Sequence, residues 1–375
     1  MKPCLLVGLF LAILSLGSLC AGELYPAQDG PLGYGLFQRL GPDDMKQGNT
    51  PHIDNPVVAG AAYYLGWARL EPKEGEYKWD ILEKLIQPWQ EKGKRVIFRI
   101  DVISKRPQPD LPSGTPDWVF ASGAKKLMAT SNGENAPSAW PVYWDEKFLE
   151  KFSNFVKAFA KRFDGHPGIE FVFVGFGEFS TVKVCGPSSK VMDQYNKAGY
   201  TQEKWLGTVR KAIDLYRTSF TKTPVCITLS PIYKAGDQSD KDVAALAKEV
   251  AAKGVYVFNH RLDASGESGA RAHYPDLYHE IKDQTKTVLG PDDPVTTGWG
   301  RGGPSGHPRD LGKLEDMLAI AFGGVKGIPE TGVDYFVFYI EDIAAATKGT
   351  QTYDPHVEEI FRKAVDRLKT NHGKT

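Results

Sequence analysis

The chain has 375 residues, with 46 basic and 46 acidic side chains and a formal net charge of zero at neutral pH. That balance, with no basic run interleaved with aromatics, argues against a nucleic-acid partner. Aromatic residues make up 11% of the chain and include 8 tryptophans; because tryptophan serves cores and sugar-stacking surfaces alike, an enzyme and a binding module both stay open.

The first segment reads as a secretory signal peptide. Lys2 is followed by a nearly unbroken apolar run from Leu5 to Leu16 and then by the small residues of "SLCAGE", which predicts cleavage near Ala21 or Gly22. Residues 1–22 are therefore set apart from the fold, and 23–375 are expected to form one exported domain, secreted or periplasmic. The apolar run is too short to favour a span, and no later segment approaches the roughly eighteen apolar residues a spanning helix needs, so no membrane insertion is expected. Leu19 stands where lipid attachment at Cys20 would want a small residue, which disfavours a lipoprotein. Processing leaves Cys185 and Cys226, which in an oxidising compartment either pair or are simply buried.

Beyond the signal, short β-rich runs alternate with longer helical patterns, the habit of parallel sheets. The runs are "GYGLFQ" at 33–38, "VVAGAAYYLGW" at 57–67, "RVIFRI" at 95–100, "IEFVFVGFG" at 169–177, "PVCITLS" at 224–230, "VYVFNH" at 255–260, "PVTTGW" at 294–299 and "DYFVFYI" at 334–340. Between them lie amphipathic segments. In 145–164, Phe148, Phe152, Phe155, Val156, Phe159 and Phe163 recur at three- and four-residue steps while Lys and Glu take the other face. Similar patterns occupy 80–92, 201–219, 240–253, 273–288, 309–323 and 355–369; only the first connection, 41–56, lacks a good helix. The order predicts an α/β fold, a single-domain (β/α)₈ TIM barrel with an irregular first connection, with a doubly wound open sheet as the alternative.

In such a barrel the residues just past each strand's C-terminal end converge on one face. The stretch "FVFVGFGEFS", Phe171–Ser180, then places Glu178 on that face, after Gly175 and Gly177, which let the backbone turn and a ligand come close. The plainer reading is that Glu178 caps the following helix or pairs with an arginine.

The stretch "WARLEPKEGEYKWDILEKLIQPWQEKGKRVIFRI", Trp67–Ile100, with the later "TPDWV" and "PVYWDEKFLEKFSNFVKAFAKRFDGHPGIEFVFVGFGE", resembles the β-galactosidase-like barrels of glycoside hydrolase clan A, family 42 among them, and secreted barrels of unknown function. The likeness covers residues 30–180 well and the remainder loosely. It implies that Glu178, at the end of the fourth strand, is the acid/base, although Gly177 replaces the usual preceding Asn. It also implies a nucleophilic Glu after strand seven, where "TTGWGRGG" has Gly298 and Trp299 and no acid.

Glycosidic cleavage needs a second carboxyl, at about 5–5.5 Å for retention or about 6.5–9.5 Å for inversion. Asp101 after strand three, Asp263 past strand six, and Glu341 and Asp342 in "YIEDI" are the candidates, and Glu341 ranks first because strand eight neighbours strand seven. Its plainer reading is a loop acid tied to a base such as Arg301. Around these, Trp67, Trp118 and Trp299 offer faces for stacking on sugar rings or for core packing. Arg99, a charge within an apolar strand, must be paired, orienting a carboxylate or forming a structural ion pair. His260 and Arg261 carry donors for hydroxyls or for anionic substituents such as sulfate or uronate.

No HExxH, EF-hand loop, GxGxxG, P-loop or GxSxG elbow is present, so no metal or other cofactor is expected, although the glycine-rich "GWGRGG" at 298–303 leaves anion binding open. The sequence thus predicts a secreted glycoside hydrolase acting on a polysaccharide or oligosaccharide. The alternative is a carbohydrate-binding barrel without hydrolysis, and a third reading is a structural exported barrel without a ligand.

Overall fold

A hydrophobic strand pattern leaves its backbone groups needing partners, and here they are met by closing the sheet on itself. The structure is a computed structural model. It describes residues 35–40, 50–103, 114–129, 137–186, 188–233, 236–262, 264, 275–291, 294–296, 312–323 and 330–372. The strands in chain order are β1 (Gly35–Leu40), β2 (Val58–Gly66), β3 (Arg95–Asp101), β4 (Lys126–Ala129), β5 (Ser138–Pro141), β6 (Ile169–Phe173), β7 (Val225–Thr228), β8 (Tyr256–Asn259), β9 (Thr287–Leu289) and β10 (Tyr335–Tyr339). Eight of them form a closed barrel in which β1, β2, β3, β6, β7, β8, β9 and β10 follow one another and β10 returns to β1. The neighbours within it are parallel. The (β/α)₈ expectation holds.

The seventh strand differs from the expectation. It is Thr287–Leu289, preceded by the short helix Pro275–Ile281, so the segment read as a helix over 273–288 supplies both elements. Residues 294–296, the described part of "PVTTGW", form no strand, and it is Thr287–Leu289 that pairs with β8 and β10. The third connection holds a second addition, an antiparallel hairpin of β4 and β5 placed between the helices Asp117–Ala121 and Glu146–Phe163.

The helix Glu146–Phe163 shows how sequence becomes packing. Asp145 caps it by accepting from the Phe148 amide at 3.1 Å, Lys161 and Arg162 lie in its last turn, and its phenylalanine face is buried. Inside the barrel, alternate residues of the strands build a core that includes Phe37, Ala62, Ile97, Phe171, Phe173 and Phe258. At its N-terminal end Glu170 accepts from the Tyr335 hydroxyl at 2.8 Å and from Arg95 at 3.2 Å, a buried charge satisfied from two sides. Cys185 and Cys226 are buried free thiols. Among the described residues no helix is long and apolar enough to cross a membrane; the expected signal peptide lies outside them.

Candidate functional site at the C-terminal mouth of the barrel

β6, the fourth barrel strand, ends at Phe173, and the chain then makes an unusual turn. Gly177 has φ +82°, Glu178–Ser180 form a single 3₁₀ turn, and Phe179 and Ser180 both adopt left-handed backbone, at φ +53° and +52°. Two consecutive non-glycine residues in that region are costly and persist only where surroundings enforce them. Here the Glu178 amide donates to Lys183 O at 2.9 Å, and Glu178 O accepts from the Thr181 amide and hydroxyl at 3.2 and 2.8 Å. The glycines make room for the protein's own backbone. A Cβ on Gly175 would lie 1.9 Å from Ile100 O, and one on Gly177 would lie 2.1 Å from Thr181 O.

Glu178 is 5% exposed. Its carboxylate lies against Gly186, where an added Cβ would come within 3.1 Å of Oε1. It is also close enough to Tyr143, Tyr195 and Cys185 to act on all three. Burial first, and the charge of Glu178 after it, raise the two phenols well above their usual range and bring the Cys185 thiol to about 12.

The end of β3 supplies the neighbouring group. Arg99 donates to both oxygens of Asp101, at 2.8 and 3.1 Å, and Asp101 Oδ1 also accepts from the Ser180 hydroxyl. Arg99 is therefore paired, as its place in an apolar strand requires. On the next strand, Val182 N donates to Thr228 O at 3.1 Å, which fastens the turn to β7. At the end of β8, the His260 ring lies tilted at 54° to that of Phe258 with centroids 6.3 Å apart, and the Arg261 amide donates to the Asn259 side chain; His260 and Arg261 are half-buried.

Across the ring, β10 runs into the helix Ile340–Ala345, with Glu341 and Asp342 in its first turn. Three barrel strands separate β6 from β10 in either direction, so Glu178 and Glu341 belong to opposite sides of the ring. Glu341 is half-buried, with Oε2 lacking a hydrogen-bond partner among the described residues. Asp342 is wholly buried. Its Oδ1 accepts from the amides of Val295 and Thr296 and from the Thr296 hydroxyl, so it anchors the chain that follows β9. Burial raises its carboxyl to about 6, against the pull of those hydrogen bonds, and adjacent Glu341 adds to the rise.

The tryptophans divide. Trp67 is 0% exposed and packs among Trp118, Phe148, Phe152 and Phe155, with its indole N–H on Glu71 at 2.7 Å. The sugar-stacking reading of Trp67 is thus corrected: β2 ends there and the ring turns into the helix layer. Trp118 is half-buried, edge-on to Trp67, and donates to Glu71 O at 2.9 Å. The segment containing Trp299 and Arg301, with Asp263, lies outside the described residues.

Sequence reasoning missed three residues of the mouth. Arg39, Tyr64 and Tyr339 share the inward parity of Phe37, Ala62 and Val337, two residues nearer the C-terminal end of their strands. The same alternation that located the barrel core would have found them.

The fold and its mouth define a class, the (β/α)₈ barrels that work at their strand C-termini. Within that class, residues 57–220, from β2 through the two helices Ser189–Lys197 and Gln202–Ser219 that follow β6, match the family model of glycoside hydrolase family 42, described as beta-galactosidase. The resemblance read from the sequence is borne out, and the match supports a glycosidase. Among solved structures the chain is similar to the catalytic domain of β-amylase from Paenibacillus polymyxa, with a TM-score of 0.58 at 9% identity over 90% of this chain and 99% of that one. It is also similar to a β-galactosidase from Rahnella sp. R3, with a TM-score of 0.53 at 15% identity over 92% of this chain and 57% of that one. At such identities the likeness is one of fold. No curated protein matches the sequence.

Proposed function

We propose that the protein is an exported glycoside hydrolase that cleaves a polysaccharide or oligosaccharide, with Glu178 as general acid/base and Glu341 as the second carboxylate. The observation that carries this reading is the turn at the end of the fourth barrel strand. Backbone strain, a close-packed glycine and a tie to Asp101 all serve to fix the one residue whose side chain is an acid. In the reaction, the Glu178 carboxyl gives its proton to the glycosidic oxygen as the bond to the anomeric carbon breaks. Glu341 attacks that carbon or takes a proton from the water that does. The family match over 57–220 supports glycosidic chemistry, and the apolar leader supports export.

A sugar-binding barrel without hydrolysis is the second reading. It is favoured by the lodging of the Glu178 carboxylate beside Tyr143, Tyr195 and Cys185, and by the absence of an acid at Gly290 and Pro291, the described residues directly after β9. Screening wild type and Glu178→Gln against chromogenic glycosides and polysaccharides separates the two. Release of reducing ends that Glu178→Gln abolishes supports hydrolysis by this residue, whereas saturable binding with no release supports the second reading.

A further inference from the structure

The parallel register of β2 and β3 pairs Tyr64 with Arg99 and Gly66 with Asp101. Tyr64 and Arg99 share the inward parity of Ala62 and Ile97, so both stand in the layer of the barrel nearest the mouth. The Arg99 guanidinium carbon lies 4.3 Å from the centroid of the Tyr64 ring. From there its Nε and Nη2 donate to the two oxygens of Asp101 at 2.8 and 3.1 Å, and Asp101 Oδ1 accepts from the Ser180 hydroxyl. Ser180 closes the turn that begins at Glu178. Phe173, the last residue of the strand leading into that turn, stands T-shaped against the same Tyr64 ring, with centroids 6.4 Å apart.

The arrangement makes one phenol ring the support of a geometric chain. Arg99, Asp101 and Ser180 are all buried, and away from water the strength of a charged pair depends on how well its donors and acceptors meet. A guanidinium is a planar fork, and two of its donors reach one carboxylate only when its plane is fixed. The face of Tyr64 attracts the guanidinium by its quadrupole and limits where that plane lies. Asp101 neutralises Arg99 and passes the constraint on, since the oxygen that takes Arg99 Nε also takes Ser180.

We propose that Tyr64 is a positioning residue for the acid/base: its ring holds the Arg99 fork on Asp101, and Asp101 holds the Glu178 turn through Ser180. This deepens the hydrolase reading, and its kinetic test rests on that reading. Wild type, Tyr64→Leu, Tyr64→Phe, Arg99→Lys and the double variant Tyr64→Leu/Arg99→Lys are compared on phenyl and dinitrophenyl β-galactosides. Leucine removes the ring face, phenylalanine keeps it, and lysine keeps the charge but loses the fork. Tyr64→Leu and Arg99→Lys are expected to lower kcat on the phenyl galactoside about 10–100-fold with KM within about twofold, while the dinitrophenyl galactoside, whose departure needs no proton, is largely spared. Tyr64→Phe is expected to match wild type, and the double variant to lose no more than the worse single variant, because both changes break one chain of contacts. A rise in KM with kcat kept, an equal loss on both galactosides, or additive losses in the double variant overturns the proposal.

A second readout needs no catalysis and decides alone if neither galactoside is cleaved. Cys185 lies beside Glu178 and Cys226 lies in the barrel core, both as buried free thiols. Their labelling by N-ethylmaleimide therefore reports opening of the turn and of the whole fold, in that order. Tyr64→Leu and Arg99→Lys are expected to speed labelling of Cys185 about tenfold and leave Cys226 near its wild-type rate, with Tyr64→Phe unchanged at both. Equal acceleration of the two thiols, or none at Cys185, overturns the proposal. Selective labelling of Cys185 in a protein that cleaves no glycoside keeps the hold of Tyr64 on the turn and sinks the hydrolase reading; cleavage abolished by Glu178→Gln but untouched by Tyr64→Leu does the reverse.

Discussion

The hydroxyl of Ser180 donates to Asp101 Oδ1, joining the turn after the fourth barrel strand to the end of the third. Asp101 is at the same time held by Arg99 through two hydrogen bonds. Ser180 itself sits at φ +52°, a conformation that costs free energy and is retained because the hydroxyl has a charged partner there. The tie links local strain to the proposed acid/base, because the residue two positions earlier is Glu178.

Ser180→Ala removes that link and leaves the Arg99–Asp101 pair in place. It should lower stability by about 1.5–3 kcal/mol, the range for a hydrogen bond to a charged group. It should also lower kcat more than it raises KM, because the turn carrying Glu178 loses its fixed position. Urea denaturation and steady-state kinetics measure the two effects.

Trp67 tests the correction to the tryptophan reading. With its ring in the helix layer and its N–H on Glu71, Trp67→Phe should cost about 1–3 kcal/mol of stability through lost packing and a carboxylate left short of one donor. KM for any cleaved glycoside should be unchanged. A rise in KM without loss of stability would return Trp67 to the sugar site.

Asp342 makes stability depend on pH in a defined window. Its carboxyl is raised to about 6 in the fold by burial, above its value of 3.8 in the absence of that environment. The charged form is thus disfavoured in the folded state. The stabilising contribution is complete below about pH 4, where both states are protonated, and is lost as pH rises through 6, by about 3 kcal/mol in total. Oδ2, which lacks a hydrogen-bond partner among the described residues, is the oxygen placed to carry the proton. Asp342→Asn should flatten this part of the stability profile between pH 4 and 7, read from urea midpoints at each pH.

Much of this arrangement was legible in the chain. The phenylalanine spacing of 145–164 locates its helix to within a residue at each end, since one buried face at helical period admits no other structure. The barrel's seventh strand was not legible. Three residues, Thr287–Leu289, give too short a period to distinguish from the preceding helix, and their strand identity comes from pairing on both sides. The β4–β5 hairpin is written in "KLMA" and "SAWP", which carry little β-propensity, so it too is fixed by tertiary context. For the site, strand ends indicated Glu178, Asp101 and Arg99. The turn of Trp67 into the helix layer is held by Glu71, four residues away in a loop, and no periodicity announces such a partner.

The central claim is that the Glu178 carboxyl donates the proton to the departing oxygen, and leaving-group dependence tests it most directly. Turnover by wild type and Glu178→Gln is compared on a series of aryl glycosides, from a dinitrophenol leaving group that needs no proton to simple phenol and alkyl alcohols that do. The account predicts that the variant loses about 10²–10⁴-fold on the poor leaving groups while largely keeping cleavage of the dinitrophenyl glycoside. A variant whose rates match wild type along the whole series would contradict it.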